Sequence, residues 1–488
     1  MNKCNQKIFL HSTTGKLLFL HLLIILFCSP NILPQTNYDN LKLGIDSLLT
    51  TDYFTKTQIA VDVFDLTSNQ KIYSKNGKLL LRPASVQKIL TTGAALKFLE
   101  HDYTFKTGFY YTGSIEDSIC RGDLYVKGGF DPDFTHRDLD SVVKIIKEYG
   151  IKEIDGNLYA DVSAGDSLFW GEGWMWDDDP GDFSPYLSPL CINDNSIKII
   201  FKPGEIGKSA QIELIPENKF IPVVNNSVTI DTGKSTINVT RDWINRNNKI
   251  IITGNIPSSA LRDSVSLNIF NPTFYFLNLM KESLEKHGIK LNGKIDTLTL
   301  VNDAEEIFTF SRNIEQVIIN TNKESDNLSA EMILRAMALY NFSNLATAVK
   351  GKLFVDSLIT LAGFSPKNYR IADGSGLSFY NLISAELVTG LLKYFYYEEE
   401  ELFVKLFNSF AVSGFDGTLE NRMIGSPAQR RVFAKTGGLS GVANIAGFLR
   451  TKNGSLLAFT ILTQNYIGKA TQALIIQNKI CELLFEGI

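Results

Sequence analysis

The sequence contains few cysteines and few histidines, and this limits the metal chemistry that it can support. Five of each occur among 488 residues. The histidines beyond residue 30 are His101, His136 and His287, and none has metal-ligand spacing to another histidine or to a cysteine. We therefore expect no metal site and no bound cofactor.

The cysteines are also too widely spaced for a disulfide framework. Beyond residue 30 they are Cys120, Cys191 and Cys481, which is an odd number. At most one bridge can form, for example between Cys120 and Cys191.

An excess of basic residues is missing as well. Lysine and arginine together number 48 against 52 aspartates and glutamates, so the net charge is −4 and the isoelectric point is near 5.9. Proteins that bind nucleic acid or an anionic membrane surface usually present a basic patch. The composition therefore argues against nucleic acid as a partner.

The N-terminus lacks a hydrophobic run long enough to cross a bilayer, which needs about 20 residues. Its apolar run covers residues 17–27, follows Lys3, Lys7 and Lys16, and precedes Cys28-Ser29-Pro30. This order is typical of a secretory signal in residues 1–30, so we expect export to the periplasm or the outer side of the cytoplasmic membrane. The bulky residues before Cys28 leave the cleavage site open and argue against a lipid-modified cysteine. A retained anchor is the alternative, and it would be the only membrane contact.

The remaining composition is that of a large globular protein. With 44% apolar and 20% charged residues, the chain can bury more than one core, and we expect two or three modules. Strand patterns over 59–66 and 71–73 predict a hairpin, and a helix is expected to begin near Pro83. Helical periodicity recurs over 328–340, 384–395 and 469–485, and strands over 443–449 and 456–462 flank a hairpin turn.

The middle of the chain differs from both ends. Short strand-like runs over 197–201, 212–214, 228–230, 237–239 and 250–252 are separated by turn residues, with one helical stretch over 139–149. These patterns predict an α/β catalytic domain in residues 36–106 and 305–488. A β-rich insertion of one or two domains is predicted in residues 107–304.

Three short motifs occur in a fixed order, Ser85-Val86-Gln87-Lys88, Ser325-Asp326-Asn327 and Lys435-Thr436-Gly437. Together they are typical of penicillin-binding proteins and serine β-lactamases. A serine followed three residues later by a lysine occurs about once or twice by chance in such a chain, so the conjunction and not any single motif supports the prediction.

The residue types of the first motif fit nucleophilic catalysis. Ser85 and Lys88, three residues apart on a helix, stand on one face, and no histidine lies in a matching context. A serine hydroxyl needs a base to become a strong nucleophile, so Lys88 is the predicted base. Its pKa must then be lowered, and burial and the neighbouring Lys435 are the expected causes.

The second motif is expected to move protons and to hold the base. Ser325 is the predicted proton relay between Lys88 and the leaving amine. The Asn327 amide is expected to hold both Lys88 and the peptide carbonyl of the substrate, while Asp326 faces inward in a structural bond.

The third motif is expected to bind the substrate. Lys435 and Thr436 are predicted to bind its terminal carboxylate, and Gly437 lets its strand approach closely. The tetrahedral oxyanion would be held by the backbone N–H groups of Ser85 and Gly438.

Further segments extend the pattern over nearly all of residues 40–488. They are Arg82-Pro83-Ala84-Ser85, Gly128-Gly129-Phe130-Asp131-Pro132, Gly173-Trp174-Met175-Trp176-Asp177-Asp178, Asp373-Gly374-Ser375-Gly376-Leu377-Ser378 and Asp416-Gly417-Thr418-Leu419. The chain thereby resembles the insert-bearing D-alanyl-D-alanine carboxypeptidases and endopeptidases, the class C low-molecular-mass penicillin-binding proteins. About 240 residues separate Ser85 from Ser325, which is the room that the inserted domains of this family need.

The resemblance implies a fold and a substrate contact. The expected catalytic domain is penicillin-binding/β-lactamase-like, with an antiparallel sheet flanked by helices. In the family, an acidic and an aromatic residue of the insertion contact the free amino end of the stem peptide's diamino acid, and Asp178 and Phe183 match them. The alternative is that residues 177–179 form only a solvated acidic loop.

Two positions depart from the family pattern. Phe379 stands where many relatives have arginine, and Gly438 stands where a hydroxyl residue commonly follows the third motif. Recognition of the substrate's carboxylate and side chain is therefore expected to depend more on Thr436 and Ser440.

The sequence thus predicts a serine D-alanyl-D-alanine carboxypeptidase, with D,D-endopeptidase activity also open, that acts on peptidoglycan stem peptides through an acyl-enzyme on Ser85. β-Lactam antibiotics are expected to acylate the same serine. A serine β-lactamase is one alternative, although no base for rapid deacylation is evident. A catalytically idle wall-binding protein is the other, although it predicts the loss of a motif residue and none is lost.

Overall fold

The computed structural model describes residues 38–342 and 345–487, so the predicted signal in residues 1–30 lies outside the described residues. Within the described part of the chain, no helix is both long and apolar enough to cross a membrane.

Ten α-helices lie within the described residues. They are α1 (Asp39–Leu49), α2 (Gln87–Phe98), α3 (His136–Glu148), α4 (Pro272–Lys286), α5 (Ile314–Lys323), α6 (Asn327–Phe342), α7 (Ala348–Leu361), α8 (Ala385–Glu398), α9 (Glu400–Ser409) and α10 (Thr471–Glu486).

Twenty-three strands lie in the same ranges. The first twelve are β1 (Gln58–Asp65), β2 (Gln70–Lys75), β3 (Thr104–Tyr111), β4 (Ser114–Glu116), β5 (Ile119–Arg121), β6 (Leu124–Lys127), β7 (Glu153–Ile154), β8 (Leu158–Asp161), β9 (Ser196–Lys202), β10 (Gln211–Ile215), β11 (Val223–Asn225) and β12 (Val228–Ile230). The others are β13 (Asn238–Arg241), β14 (Ile250–Thr253), β15 (Asn255–Pro257), β16 (Asp263–Asn268), β17 (Lys290–Leu291), β18 (Ile295–Thr297), β19 (Glu305–Asn313), β20 (Ala411–Val412), β21 (Val432–Leu439), β22 (Val442–Arg450) and β23 (Leu456–Gln464).

A six-stranded antiparallel sheet joins the two ends of the chain. Its order is β2-β1-β23-β22-β21-β20, so the N-terminal hairpin pairs with the C-terminal one. Successive strand residues point to opposite faces of the sheet, and helices pack against both faces. In β22, Phe448 packs into the core with α2, α6 and α8, whereas Leu449 packs into the core with α1 and α10.

Helix α2 runs through the centre of the helical layer. Ten of its twelve residues are buried, including the polar Gln87, Lys88, Thr91 and Thr92. A helix that is buried on all sides needs polar partners for such residues. Thr91 finds one in the carbonyl of Gly374, which accepts a hydrogen bond from its Oγ1 at 2.6 Å.

The region between α2 and α5 has its own sheets and its own core. A five-stranded sheet has the order β18-β8-β6-β3-β19, and a four-stranded sheet has the order β17-β7-β5-β4. Three smaller sheets are β10-β9-β16, β11-β14-β13 and β12-β15. Strands β3 and β19 pair with each other, so the chain enters and leaves this region side by side.

Two features of this region differ from expectation. A second helix, α4, joins α3, although only one helical stretch was predicted there; its signal is the Asn271 cap, which accepts from the Phe274 N–H, followed by Pro272. Apolar residues on several sides of α4 hide its period. Cys120 and Cys191 are both free and buried, so the bridge that the cysteine count allowed is absent from the described residues.

Candidate active site

Ser85 lies in a turn that is fixed to the central sheet. The turn is a 3-10 helix, Ala84–Val86, which leads directly into α2. The Asn444 side chain on β22 donates to the carbonyls of Arg82 and Pro83 at 2.9 and 2.8 Å. Ala84 has a left-handed backbone (φ 46°), which costs energy for a residue with a Cβ and is found mainly at functional sites.

Lys88 lies one helical turn behind Ser85 and is completely buried. Its Nζ is 2.9 Å from Ser85 Oγ, 2.5 Å from Asn327 Oδ1 and 2.8 Å from the carbonyl oxygen of Ser375. The amide and carbonyl oxygens can only accept, whereas the hydroxyl can donate. The protonated amine can donate to all three oxygens, because the hydroxyl can also accept, and a neutral amine can keep its two N–H bonds to the carbonyl and amide oxygens and turn its lone pair toward Ser85.

Burial supplies the electrostatic condition for that neutral form. Desolvation lowers the pKa of Lys88 to about 8, although the charges of Asp326, Asp373 and Glu331 act in the opposite direction. The amine is therefore a base close to neutral pH.

Lys435 lies on β21 and is also completely buried. Its Nζ donates to the Thr436 carbonyl at 2.9 Å. Burial first, and then repulsion by Lys88, hold the pKa of Lys435 well below its usual range. The repulsion thus acts mainly on Lys435, whereas the sequence suggested that it would lower the pKa of Lys88.

The second motif lies at the start of α6. Ser325 has a left-handed backbone (φ 66°) just before the helix begins. Asp326 Oδ2 accepts the Ser329 N–H at 2.5 Å, which is the bond of a helix cap. Asn327 binds Lys88 through Oδ1 and donates from Nδ2 to the Phe183 carbonyl at 2.5 Å.

These residues surround a cavity of about 560 Å³ between the catalytic part and the insertion. Eight of the predicted site residues line it: Ser85, Asp178, Phe183, Ser325, Asn327, Thr436, Gly438 and Ser440. The other lining residues are Glu324, Gly376, Leu377, Phe379 and Leu439. Lys88, Lys435 and Gly437 lie outside the lining, each against a residue that belongs to it.

Glycine is required at position 437 because the turn that carries Ser85 lies close to it. A Cβ there would lie 2.7 Å from the Pro83 carbonyl oxygen and 3.1 Å from the Ser85 nitrogen. A Cβ at Gly438 would meet nothing within 4 Å, because that position faces open space. Strand β22 pairs with residues 435–439 on one side. On the other side β20 reaches only Phe433 and Ala434, so in the described ranges that edge of residues 435–439 is open.

Residues 177–179 do not form a uniform solvated loop. Asp177 is exposed, whereas Asp179 is buried and pairs with Arg241 and Tyr186. Asp178 lines the cavity and accepts the Met175 N–H at 3.1 Å, and burial raises its pKa. Phe183 is half exposed on the same wall.

Phe379, one of the two predicted departures from the family pattern, lines the cavity. The Arg82 guanidinium lies 5.4 Å from the centre of its ring, and Arg82 Nε donates to the Phe379 carbonyl at 3.4 Å. A guanidinium is therefore present behind this wall, although it comes from another part of the chain.

Three contributions to the site were not predicted from the sequence. The Ser375 carbonyl binds Lys88, and the buried Glu331 carboxylate accepts the Gly374 and Ser375 N–H groups at 2.9 and 3.0 Å. Thr418 Oγ1 accepts the Thr436 hydroxyl at 2.8 Å. The segments around Ser375 and Thr418 had been recognised as part of the family pattern, but no role followed from it.

No cluster of three or more histidine, cysteine, aspartate or glutamate side chains is arranged to hold a metal ion in residues 38–342 and 345–487.

Comparison with known proteins identifies relatives that match most of the chain. The sequence profile of the D-Ala-D-Ala carboxypeptidase 3 (S13) family matches residues 41–484. D-alanyl-D-alanine carboxypeptidase DacB of Haemophilus influenzae is 29% identical over 409 residues, which are 82% of this chain and 84% of the relative. D-alanyl-D-alanine carboxypeptidase of an Actinomadura species is 27% identical over 449 residues, which are 89% of this chain and 82% of the relative.

A solved structure agrees with these relatives. The crystal structure of penicillin binding protein 4 (dacB) from Haemophilus influenzae superposes with a TM-score of 0.78 at 26% identity, over 89% of this chain and 97% of the other. These matches confirm the resemblance and the fold class that the sequence indicated.

Proposed function

Because the chain belongs to the D-Ala-D-Ala carboxypeptidase 3 (S13) family and is a serine-type D-Ala-D-Ala carboxypeptidase, we propose that Ser85 is its nucleophile and Lys88 its base. The observation that supports these roles best is the environment of the Lys88 amine. Two of its three neighbours can only accept a hydrogen bond, and the third is the Ser85 hydroxyl at 2.9 Å. A base held in this way removes one particular proton.

In acylation, Ser85 Oγ attacks the carbonyl carbon of the penultimate D-alanine while Lys88 takes the hydroxyl proton. The backbone N–H groups of Ser85 and Gly438 stabilise the oxyanion. When the tetrahedral intermediate collapses, the C–N bond breaks and Ser325 passes a proton from Lys88 to the leaving amine. Water then hydrolyses the ester and restores the Ser85 hydroxyl.

The substrate is the end of a peptidoglycan stem peptide, and its recognition follows from the cavity lining. Thr436 and Ser440 bind the terminal carboxylate, and Lys435 supports that site from behind Thr436, whose carbonyl accepts a hydrogen bond from Lys435 Nζ. Asp178 and Phe183, which belong to the insertion and line the same cavity, receive the free amino end of the diamino acid. When the leaving amine belongs to a second stem peptide, the same steps cut a crosslink, so we include D,D-endopeptidase activity.

β-Lactams bind covalently at the same serine, because their ring presents a carbonyl and a carboxylate in the relation that the substrate has. A relative whose name is penicillin binding protein supports this. The proposal also places the enzyme outside the cytoplasmic membrane, in the periplasm, where its substrate lies.

The domain arrangement is part of the proposal. Residues 36–106 and 305–488 form the catalytic domain, and residues 107–304 form the insertion. The six strands of the central sheet support this division, since all of them lie outside residues 107–304. Strand β19 (Glu305–Asn313) pairs with β3 in a sheet of the insertion, however, so the second border lies near residue 313 and not at residue 304.

Mass spectrometry of the protein with an uncrosslinked pentapeptide muropeptide and with a crosslinked dimer tests the activities. We expect loss of one D-alanine from the first and conversion of the second to monomers. A labelled penicillin is expected to add to Ser85 and to leave the Ser85→Ala variant unlabelled. Labelling that survives this substitution would disprove the assignment of the nucleophile.

A further inference from the structure

The loop of residues 372–378, called the Lys88 loop here, holds the catalytic lysine through its backbone. Its Ser375 carbonyl accepts a hydrogen bond from Lys88 Nζ at 2.8 Å. The loop also touches the nucleophile's turn: a Cβ on Gly376, whose φ is 85°, would lie 1.9 Å from the Ala84 carbonyl oxygen. The position of this loop therefore sets the positions of both reacting groups.

Asp373 is the residue that shapes the Lys88 loop. It is 1% exposed, and five groups donate to its carboxylate. They are the Gly376 N–H at 2.9 Å, the Ser378 N–H at 2.7 Å, Ser375 Oγ at 3.2 Å, Asn381 Nδ2 at 2.6 Å and Trp174 Nε1 at 2.9 Å. A buried carboxylate needs such donors, so the loop is fixed around it.

One of these five donors comes from the insertion. Trp174 is 6% exposed and lies four residues before Asp178 on the segment that borders the cavity. Its ring is held by an edge contact with Trp170, at 5.4 Å between centroids. Glycine at position 171 makes room for it, because a Cβ there would lie 2.2 Å from the indole.

We propose that Trp174 is a positioning residue for the reaction: its indole N–H fixes Asp373, and Asp373 fixes the Lys88 loop that holds the Lys88 amine against Ser85. The inference rests on the proposed roles of Ser85 and Lys88. It gives the insertion a part in acylation itself, in addition to its contacts with the substrate.

The contacts of Trp174 and Asp373 can be tested through the pKa of Lys88. The charged groups that act on Lys88 are Asp326 just before α6, Glu331 within α6 and Asp373 in the loop, whereas Lys88 itself lowers the pKa of Lys435 on β21. The Asp373 charge raises the pKa of Lys88. When the Trp174 N–H is lost, the Asp373 charge is less neutralised and raises the pKa of Lys88 further. When the Asp373 charge itself is lost, the pKa of Lys88 falls.

The test uses the full chain with Trp174→Phe, Asp373→Asn and the control Trp176→Phe. Trp176 lies on the same segment but is 71% exposed and outside the contacts of Asp373. The rate constant for acylation by a fluorescent penicillin is measured from pH 5 to 10, together with the midpoint of thermal unfolding. We expect about a tenfold lower rate for Trp174→Phe, since a hydrogen bond to a charged group is lost, and a rate within about twofold of wild type for the control.

The pH profile separates positioning from a merely structural effect. The acidic limb is expected to move to higher pH in Trp174→Phe and to lower pH in Asp373→Asn. The inference is overturned if a folded Trp174→Phe protein has the same acylation rate and the same acidic limb as the control. It is also overturned if the rate falls but the acidic limb stays at the wild-type pH. If Trp174→Phe does not fold, an unmoved limb in Asp373→Asn overturns it. Absence of labelling in the wild-type protein would instead refute the proposed function, on which the inference rests.

Discussion

Asn327 donates a hydrogen bond to the Phe183 carbonyl at 2.5 Å while its other amide atom binds Lys88 at 2.5 Å. The residue that orients the base therefore also anchors the loop of the insertion that borders the cavity. In the proposed mechanism, substrate recognition by the insertion and acylation by the catalytic domain therefore share one side chain.

Replacement of Asn327 should consequently affect both functions. We expect Asn327→Ala to lower the acylation rate by about ten- to a hundredfold, because Lys88 loses an acceptor that fixes its lone pair toward Ser85. The free energy of unfolding should fall by only about 1–2 kcal/mol, since one bond to each neighbour is lost. Penicillin labelling kinetics and chemical denaturation measure the two quantities.

Asn245→Ala is the matched control for Asn327→Ala. Its side chain is exposed and donates to the Asp242 carboxylate at 2.8 Å within the insertion. It should leave acylation unchanged. Equal rates for both variants would contradict the role of Asn327.

The pH dependence of acylation follows from the amine of Lys88. The base must be neutral, and burial lowers the pKa of Lys88 to about 8. Below that value the amine is protonated, so the rate should fall about tenfold for each pH unit, while above it the rate should level off. The rate of labelling by penicillin from pH 5 to 10 measures this. A profile that is flat through pH 8 would be incompatible with Lys88 as the base.

The same pKa has a consequence for stability. The pKa of Lys88 is lower in the folded protein than the ordinary lysine value near 10.5, so the unfolded chain binds more protons between these values. This group therefore makes the folded state more stable as the pH rises from about 8 toward 10.5. In Lys88→Met that contribution is absent, and the unfolding free energy should rise less over this interval than in the wild type. Urea titrations at several pH values give both slopes.

Much of this site could be predicted from the sequence because its chemistry resides in side chains with short, fixed spacings. Ser85 lies in the 3-10 turn that leads into α2 and Lys88 lies in the first turn of α2, and helical periodicity marked that helix correctly. The Ser375 carbonyl could not be found in this way, since every residue has the same carbonyl and only the fold selects one. Helix α4 was missed because apolar residues on several of its sides hide the 3.6-residue period.

The balance of charges around Lys88 could not be predicted from the sequence either. Burial was expected to lower the pKa of Lys88 and does so, whereas the expected contribution of Lys435 is replaced by opposing carboxylates. The opposing carboxylates, Glu331 and Asp373, come from separate segments that meet only in the folded protein.

Gly437 gives a steric prediction. Gly437→Ala places a methyl group 2.7 Å from the Pro83 carbonyl oxygen and about 3 Å from two backbone nitrogens of the nucleophile's turn, so strand and turn must separate. We expect at least a tenfold loss of acylation with the fold retained. Gly44→Ala is the control, because its Cβ would meet only Leu483 at an ordinary 3.4 Å. Circular dichroism and labelling kinetics compare the two, and a fully active Gly437→Ala protein would show that the close approach is not needed.

Asp178 provides a test of specificity that leaves acylation intact. If its carboxylate receives the amino end of the diamino acid, Asp178→Asn should lower kcat/KM about tenfold for a pentapeptide with that amine free, since a charge-assisted contact is lost. The same variant should hydrolyse a peptide acetylated at this amine, and react with penicillin, at the wild-type rate. Asp177→Asn, at the exposed neighbouring carboxylate, should change neither reaction. Burial raises the pKa of Asp178. As the pH falls, this carboxylate therefore takes up a proton at a higher pH than an ordinary aspartate does, and the wild-type preference for the free amine should weaken there. An equal loss on both peptides would instead mean that Asp178 shapes the cavity and does not read the charge.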